Sequence, residues 1–171
     1  MIVFLALAAL LAPEPRDPHF EGDWWVSDNI DNVTGEREVD AFQSLINSQN
    51  YVTLRLRCSK GRPTFFLEWE DVPFPAQTVV TFSAAPNGVG PPPQTKFILE
   101  KSNDPIERGL RATPETTEQI IKAIGSATYL LITAHLSHRD RSVGLEVSGT
   151  QAVWQRVSRH CPIRRVPTLP Q

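Results

Sequence analysis

The chain has 171 residues, of which 40% are hydrophobic and 21% are charged, and its formal net charge is −2. So small a charge gives no electrostatic case for a nucleic-acid partner or for an anionic membrane surface. The length suits one domain of about 100–150 residues with short ends, and fifteen prolines against nine glycines favour a loop-rich, β-rich fold.

The first twelve residues, Met1 to Ala12, form an uninterrupted apolar run that gives way to polar, proline-broken sequence. A bilayer span takes about 20 residues, so the run is too short to cross a membrane, but it matches the apolar region of a signal peptide. A buried N-terminal segment and an uncleaved anchor are the alternatives. We expect a signal peptide at 1–12, an N-terminal arm at 13–23, a single domain at 24–161 and a flexible tail at 162–171. The mature protein would then be periplasmic or secreted, with no membrane span.

The clearest strand signal in the chain is the stretch from Tyr51 to Cys58. Apolar and polar side chains alternate strictly there, which is the period of a half-buried strand. Residues 64–70 alternate in the same way and predict a partner strand. A hairpin with Arg55 opposite Glu68 would place opposite charges together on the polar face.

Other short segments carry weaker strand signals. Strands are predicted at 24–27, 38–46, 77–83, 96–101, 127–137 and 143–147. Together with two helices, they predict a mainly β to α+β domain. Its centre would be a twisted antiparallel sheet or sandwich of about seven strands, with one inserted helix and one C-terminal helix.

The two helices are predicted at 113–125 and 150–161. Thr113 can cap the first helix and Gly125 can end it. In the second, apolar side chains recur at helical spacing as far as Cys161, which places that residue on the buried face.

Cys58 and Cys161 are the two cysteines of the chain. In an exported protein two cysteines most simply form one disulfide, and the helix turns Cys161 towards the side of the core where Cys58 is expected. The bridge would close a loop of about 100 residues and stabilise the fold by about 4–5 kcal/mol in the chain-entropy model. Two unrelated buried thiols are the alternative.

The sequence shows no catalytic constellation. Glu68 and Glu70 share a strand face at a separation of about 7 Å, which lies in the range of an inverting glycosidase pair, but Arg55 beside them favours a neutralised, solvated face. His135 and His138 are three residues apart on a strand and make a poor chelating pair. The chain has no Gly-x-Ser-x-Gly elbow and no phosphate-binding glycine loop. We therefore predict no catalytic residue, no metal and no cofactor.

Several short motifs recur in one known family. They are Trp25 and Ser27, the turn Asp31-Asn32-Val33-Thr34-Gly35-Glu36, Leu56-Arg57-Cys58, Ser102-Asn103-Asp104, and Leu145-x-Val147-Ser148-Gly149 before a helix to Cys161. On these residues, over about Trp24 to Cys161, the chain resembles the TagO/VasI-like group of small exported accessory proteins associated with bacterial type VI secretion. Asn32 and Gly35 stand where that family tends to have Pro and Asp. The resemblance implies an exported β-rich domain with a Cys58–Cys161 bridge and no known cofactor, and it supplies no activity.

We therefore expect a non-enzymatic periplasmic or secreted module that binds or helps to assemble an envelope or secretion-apparatus protein. One alternative is a hydrolase of envelope polysaccharide that uses Glu68 and Glu70, and another is a small ligand-binding or inhibitor domain. A deep apolar pocket beneath Trp25 or Trp69 would favour a ligand, whereas a flat strand edge would favour a protein partner.

Overall fold

The computed structural model describes residues 18–30, 35, 37–46, 51–59, 61–85, 92–104 and 108–161. Within them ten strands form one antiparallel sheet, and two helices pack on it. The predicted class, mainly β to α+β with two helices, is confirmed, with one sheet of ten strands instead of about seven. The predicted signal peptide (1–12) and tail (162–171) lie outside the described residues.

The strand order in the sheet is β1-β2-β3-β4-β5-β8-β7-β6-β9-β10. The strands are β1 (His19–Glu21), β2 (Trp24–Ile30), β3 (Arg37–Ile46), β4 (Tyr51–Ser59), β5 (Arg62–Trp69), β6 (Gln77–Ala85), β7 (Gln94–Lys101), β8 (Leu110–Arg111), β9 (Tyr129–His135) and β10 (Arg141–Glu146). The helices are α1 (Pro114–Ile124) and α2 (Thr150–His160).

Two strands were not predicted because both are too short to show a period. β1 lies inside the stretch expected to be an N-terminal arm, and it pairs with β2 so that Phe20 is opposite Trp25. β8 has two residues, and it joins β5 to β7 by placing Leu110 opposite both Leu67 and Lys101.

The predicted hairpin of β4 and β5 forms, but its predicted register is wrong by two residues. Thr53 lies opposite Glu68, and Arg55 lies opposite Phe66. A shift of two residues leaves every side chain on its own face, so the alternation could not reveal the error. The turn decides the register. Ser59 pairs with Arg62, which leaves a two-residue connection between the strands. Gly61 has a φ of 67°, and a glycine with positive φ suits a connection of that length.

The core lies between the two helices and one face of the sheet, which we call the inner face. α1 packs on β5, β6 and β7, and α2 packs on β1 to β4. The largest fully buried side chains come from both layers and include Trp24, Phe65, Phe82, Ile120 and Leu130. Neither α1 nor α2 has the length of a membrane-spanning helix, each having 11 residues.

Both helices begin and end much as predicted. The Thr113 side chain accepts a hydrogen bond from the Thr116 backbone N–H at the start of α1, and Gly125 follows its last residue. The buried face of α2 carries Val153 and Val157.

Cys58 and Cys161 form a disulfide, as predicted. The two Cα atoms are 5.7 Å apart across a sequence separation of 103 residues, and both side chains are fully buried. The bridge joins the end of α2 to β4.

Candidate functional site

Glu68 and Glu70 lie in an open cleft at the end of β5. The cleft has a volume of about 520 Å³ and a lining of mixed charged and aromatic side chains, including Tyr51, Phe74, Lys101 and Arg108. Glu68 Oε1 is 4.0 Å from Arg55 Nη1, and Arg55 also donates Nε and Nη2 to the two carboxylate oxygens of Asp40. Glu70 is exposed. An acid/base pair needs one carboxyl in an apolar site, whereas here one joins an ion-pair network and the other lies in solvent.

The tryptophans do not frame a deep apolar pocket. Trp25 packs against Phe42 on the face of the sheet opposite the helices, which we call the outer face, with ring centroids 4.9 Å apart. Trp69 lines the open cleft just described, whose lining is of mixed polarity. Neither arrangement favours the small-ligand alternative.

A hydrogen-bonded chain of Thr81, His135 and Asp140 has the connectivity of a nucleophile, a base and an orienting acid. Thr81 Oγ1 lies 2.8 Å from His135 Nε2, and His135 Nδ1 lies 3.0 Å from Asp140 Oδ2. However, Thr81 is only 5% exposed and lies in mid-strand, with β7 and β9 paired on its two sides. The neighbouring backbone N–H groups therefore bond to other strands and cannot stabilise an oxyanion. The hydrogen bonds among Thr81, His135 and Asp140 thus serve as a cross-strand contact.

The two ends of the sheet meet where the β1–β2 turn touches the segment after β10. Asp23 N donates to Ser148 O at 3.1 Å, and Asp23 Oδ2 accepts from both N and Oγ of Ser148 at 2.7 Å. A Cβ atom on Gly149 would come within 2.3 Å of Glu21 O, and one on Gly22 within 2.4 Å of Ser148 O. We call this contact the seam. It shows that the sheet curls until the two ends of its strand order touch.

Next to the seam an open cleft of about 590 Å³ separates β3 from β10. Gln43 Nε2 on β3 donates to Glu146 O on β10, and this contact marks the end of the cleft nearest the seam. We call it the seam cleft; its lining includes Phe20, Gln43, Leu45, Tyr129, Gly144 and Glu146. Phe20 is 72% exposed and Tyr129 is 45% exposed, so two aromatic rings face solvent at this opening.

β10 presents free backbone groups on the side away from β9. In the described part of the chain β10 pairs with β9 alone. Val147 N donates to Thr128 O on the β9 side, and bonding direction alternates along an antiparallel pair. The backbone groups of Ser142, Gly144 and Glu146 therefore point away from β9. Gln43 occupies only the carbonyl of Glu146. The backbone N–H and C=O groups of Ser142 and Gly144 can therefore form hydrogen bonds with an added strand.

One buried acceptor at the seam cleft has no donor. Gln43 is 8% exposed, and its Oε1 has no hydrogen-bond partner among the described residues. Asp23 and Glu146 line the same cleft, and its described lining contains no Lys or Arg. The cleft is therefore acidic and holds an unsatisfied acceptor.

In the described part of the chain, no group of three or more His, Cys, Asp or Glu side chains could hold a metal ion. His135 is engaged with Thr81 and Asp140, and both cysteines form the disulfide.

The chain matches no family model, no curated protein and no solved structure. No relative therefore supplies an activity or a partner.

Sequence reasoning missed the seam and the seam cleft. Gly22 and Asp23 lie inside the predicted arm, and Gly149 lies directly before the predicted second helix. A glycine followed by aspartate is a two-residue hairpin connection, and its place directly before Trp24 could have predicted the β1–β2 hairpin. The meeting of that turn with Gly149, more than 120 residues away, leaves no local signal.

Proposed function

We propose that this chain is a non-enzymatic exported module that binds or helps to assemble an envelope or secretion-apparatus protein. The resemblance to accessory proteins of type VI secretion favours a partner in that apparatus. The observation that carries the proposal is the free edge of β10 beside the seam cleft, because an unpaired edge strand is a common surface for protein recognition.

Export is supported by the disulfide. Cytosolic thiols are generally kept reduced, whereas disulfides persist in the periplasm and outside the cell. The apolar start of the sequence is the second support, because it matches the apolar region of a signal peptide.

A non-enzymatic role is supported by the two candidate catalytic sites already described. Glu68 is engaged with Arg55, Glu70 is exposed, and Thr81 is enclosed by its neighbouring strands. A binding role needs neither an acid/base pair nor an accessible nucleophile.

Two measurements on the natively expressed protein test the proposal. Intact mass, with and without reduction before alkylation, should show loss of the leader and two alkylatable thiols only after reduction. A full-length mass with free thiols would overturn export.

For the binding role, the tagged chain should be cross-linked in intact cells and purified from the envelope. We expect one envelope protein at a constant ratio to the bait. A Cys58→Ala/Cys161→Ala variant is the control for folded structure and should lose that protein. Recovery of no protein above the untagged background would overturn the binding role.

A further inference from the structure

We propose that the seam cleft binds one extended segment of the partner protein, which adds to β10 as a strand and places a Lys or Arg side chain in the cleft. This inference rests on the proposed binding function and names the chemistry of the partner. Strand addition obtains its affinity from main-chain hydrogen bonds and its specificity from alternate side chains.

The backbone of β10 supplies the hydrogen bonds. Ser142 and Gly144 each direct an N–H and a C=O away from β9, as the Val147 N to Thr128 O bond fixes. An added antiparallel strand can therefore exchange a pair of hydrogen bonds with each of these residues. A side chain at Gly144 would collide with Tyr129, whose Oη lies 1.8 Å from the position of a Cβ atom there. Glycine thus allows the tyrosine ring to lie across the strand at the cleft.

The second wall of the cleft limits what can enter. β3 contributes Ser44 and Leu45 to the lining opposite β10, and Gln43 joins the two walls at the seam. A second copy of the protein would have to bring the edge of its whole sheet to β10, and its own β3 wall would then meet the β3 wall of this cleft. A single extended segment does not have this obstacle, so we infer a peptide strand instead of a second copy of the chain.

The lining specifies the chemistry of the segment. Asp23 and Glu146 make the cleft acidic, and Gln43 Oε1 is a buried acceptor without a donor. A Lys or Arg side chain supplies both positive charge and donors. Phe20 and Tyr129 are exposed at the same cleft and offer contact area for an apolar side chain. The expected ligand alternates basic and apolar residues along a strand.

The test begins with a linear heptapeptide library displayed on phage and selected against the full disulfide-bonded protein. The selected peptide is then synthesised, and its affinity is measured for the wild type and for two substitutions at one position. Ser142→Pro removes the outward N–H of β10, whereas Ser142→Ala keeps it and removes only the hydroxyl that contacts Thr133 Oγ1. We expect the proline variant to bind the peptide about tenfold more weakly, which is the size of one lost hydrogen bond. The alanine variant should bind it at most about twofold more weakly.

A charge reversal gives an independent readout that does not alter the backbone. Glu146→Lys should weaken the same peptide about tenfold, whereas Glu100→Lys, an exposed carboxylate on β7, should leave its affinity unchanged. Amide hydrogen exchange of the wild type should show Ser142 and Gly144 slowed by the peptide. If the library yields no peptide that slows these amides, or if Glu146→Lys and Glu100→Lys bind equally, the inference is wrong.

The cross-linking measurement separates this inference from the proposed function. A partner recovered equally by the wild type and by Glu146→Lys would overturn the seam cleft as the site and leave the binding role standing. A wild type that recovers no partner would overturn the binding role itself.

Discussion

The outer face of the sheet differs between its two halves, although both halves bury the same kind of inner face. On β3 to β5 the outer face carries three cross-strand ion pairs: Asp40 with Arg55, Glu38 with Arg57 and Arg55 with Glu68. On β6, β7 and β9 it exposes four apolar side chains: Val79, Ile98, Leu131 and Tyr129. The exposed large apolar side chains of that face on β3 and β4, Ile46 and Tyr51, lie at the paired ends of these strands.

The two halves of the sheet therefore differ in whether their outer face discourages contact with another strand. Paired charges on adjacent strands favour one register and discourage contact with a foreign strand. The half without such a ladder ends in β10, whose outward backbone groups at Ser142 and Gly144 have no strand partner among the described residues. The edge proposed for strand addition therefore lies on the half that these ion pairs do not cover.

The largest expected effect comes from the disulfide, which fixes α2 on the charged half. Cys58→Ala/Cys161→Ala should lower the free energy of unfolding by about 4–5 kcal/mol, because the bridge restricts a long loop in the unfolded chain. Urea denaturation measures the loss, and the reduced wild type is the control. Hydrogen exchange should rise more in α2 and β4 than in β6. An equal rise in both halves would contradict this local role.

The second-largest loss of unfolding free energy is expected at the seam, since the seam joins the two halves of the sheet. Gly149→Ala should cost about 2–4 kcal/mol, because a φ of +87° is strained for alanine and its Cβ would meet Glu21 O at 2.3 Å. Gly61→Ala is the matched control. Its φ is +67° but no described residue lies within 4 Å of the new Cβ, so only about 1 kcal/mol of backbone strain is expected. Equal losses in thermal or urea unfolding would show that the close contact at the seam does not matter.

A smaller effect is expected from the ion pairs of the charged half. Asp40→Asn should lower the free energy of unfolding by about 1 kcal/mol, because it removes the charge that Arg55 contacts with two donors on a partly exposed face. High salt should reduce the difference between variant and wild type, since it screens exposed charges. Ile98→Thr, an exposed apolar change on β7, should show no such salt dependence. The same salt response in both variants would remove the distinction between the halves.

The smallest effect is expected from the carboxylates first considered for catalysis. Glu68→Gln/Glu70→Gln should change the free energy of unfolding by about 0.5 kcal/mol or less, since Glu68 is partly exposed and Glu70 is exposed. Release of soluble fragments from purified envelope polysaccharide should be the same for the variant and the wild type. Activity in the wild type that disappears in the double variant would revive the hydrolase alternative.

Local periodicity in the sequence predicted most individual elements. The alternation in β4, with Leu54 and Leu56 inward, and the capped helix that begins after Thr113 both follow from neighbouring residues. The disulfide was also predicted, because a chain with two cysteines offers one pairing. Such signals are legible because each depends on a few adjacent side chains and on a fixed backbone period.

Register and site depended on residues far apart in the chain, and only the tertiary structure decided them. The register of β4 and β5 depends on a two-residue turn, because a shift of two residues preserves the same hydrophobic pattern. The seam requires Gly22 and Gly149 to meet, and the seam cleft requires β3 to stand opposite β10. The curl of a ten-stranded sheet brings these residues together, and it arises from the summed twist of all strands and the packing of two helices, which no single segment encodes.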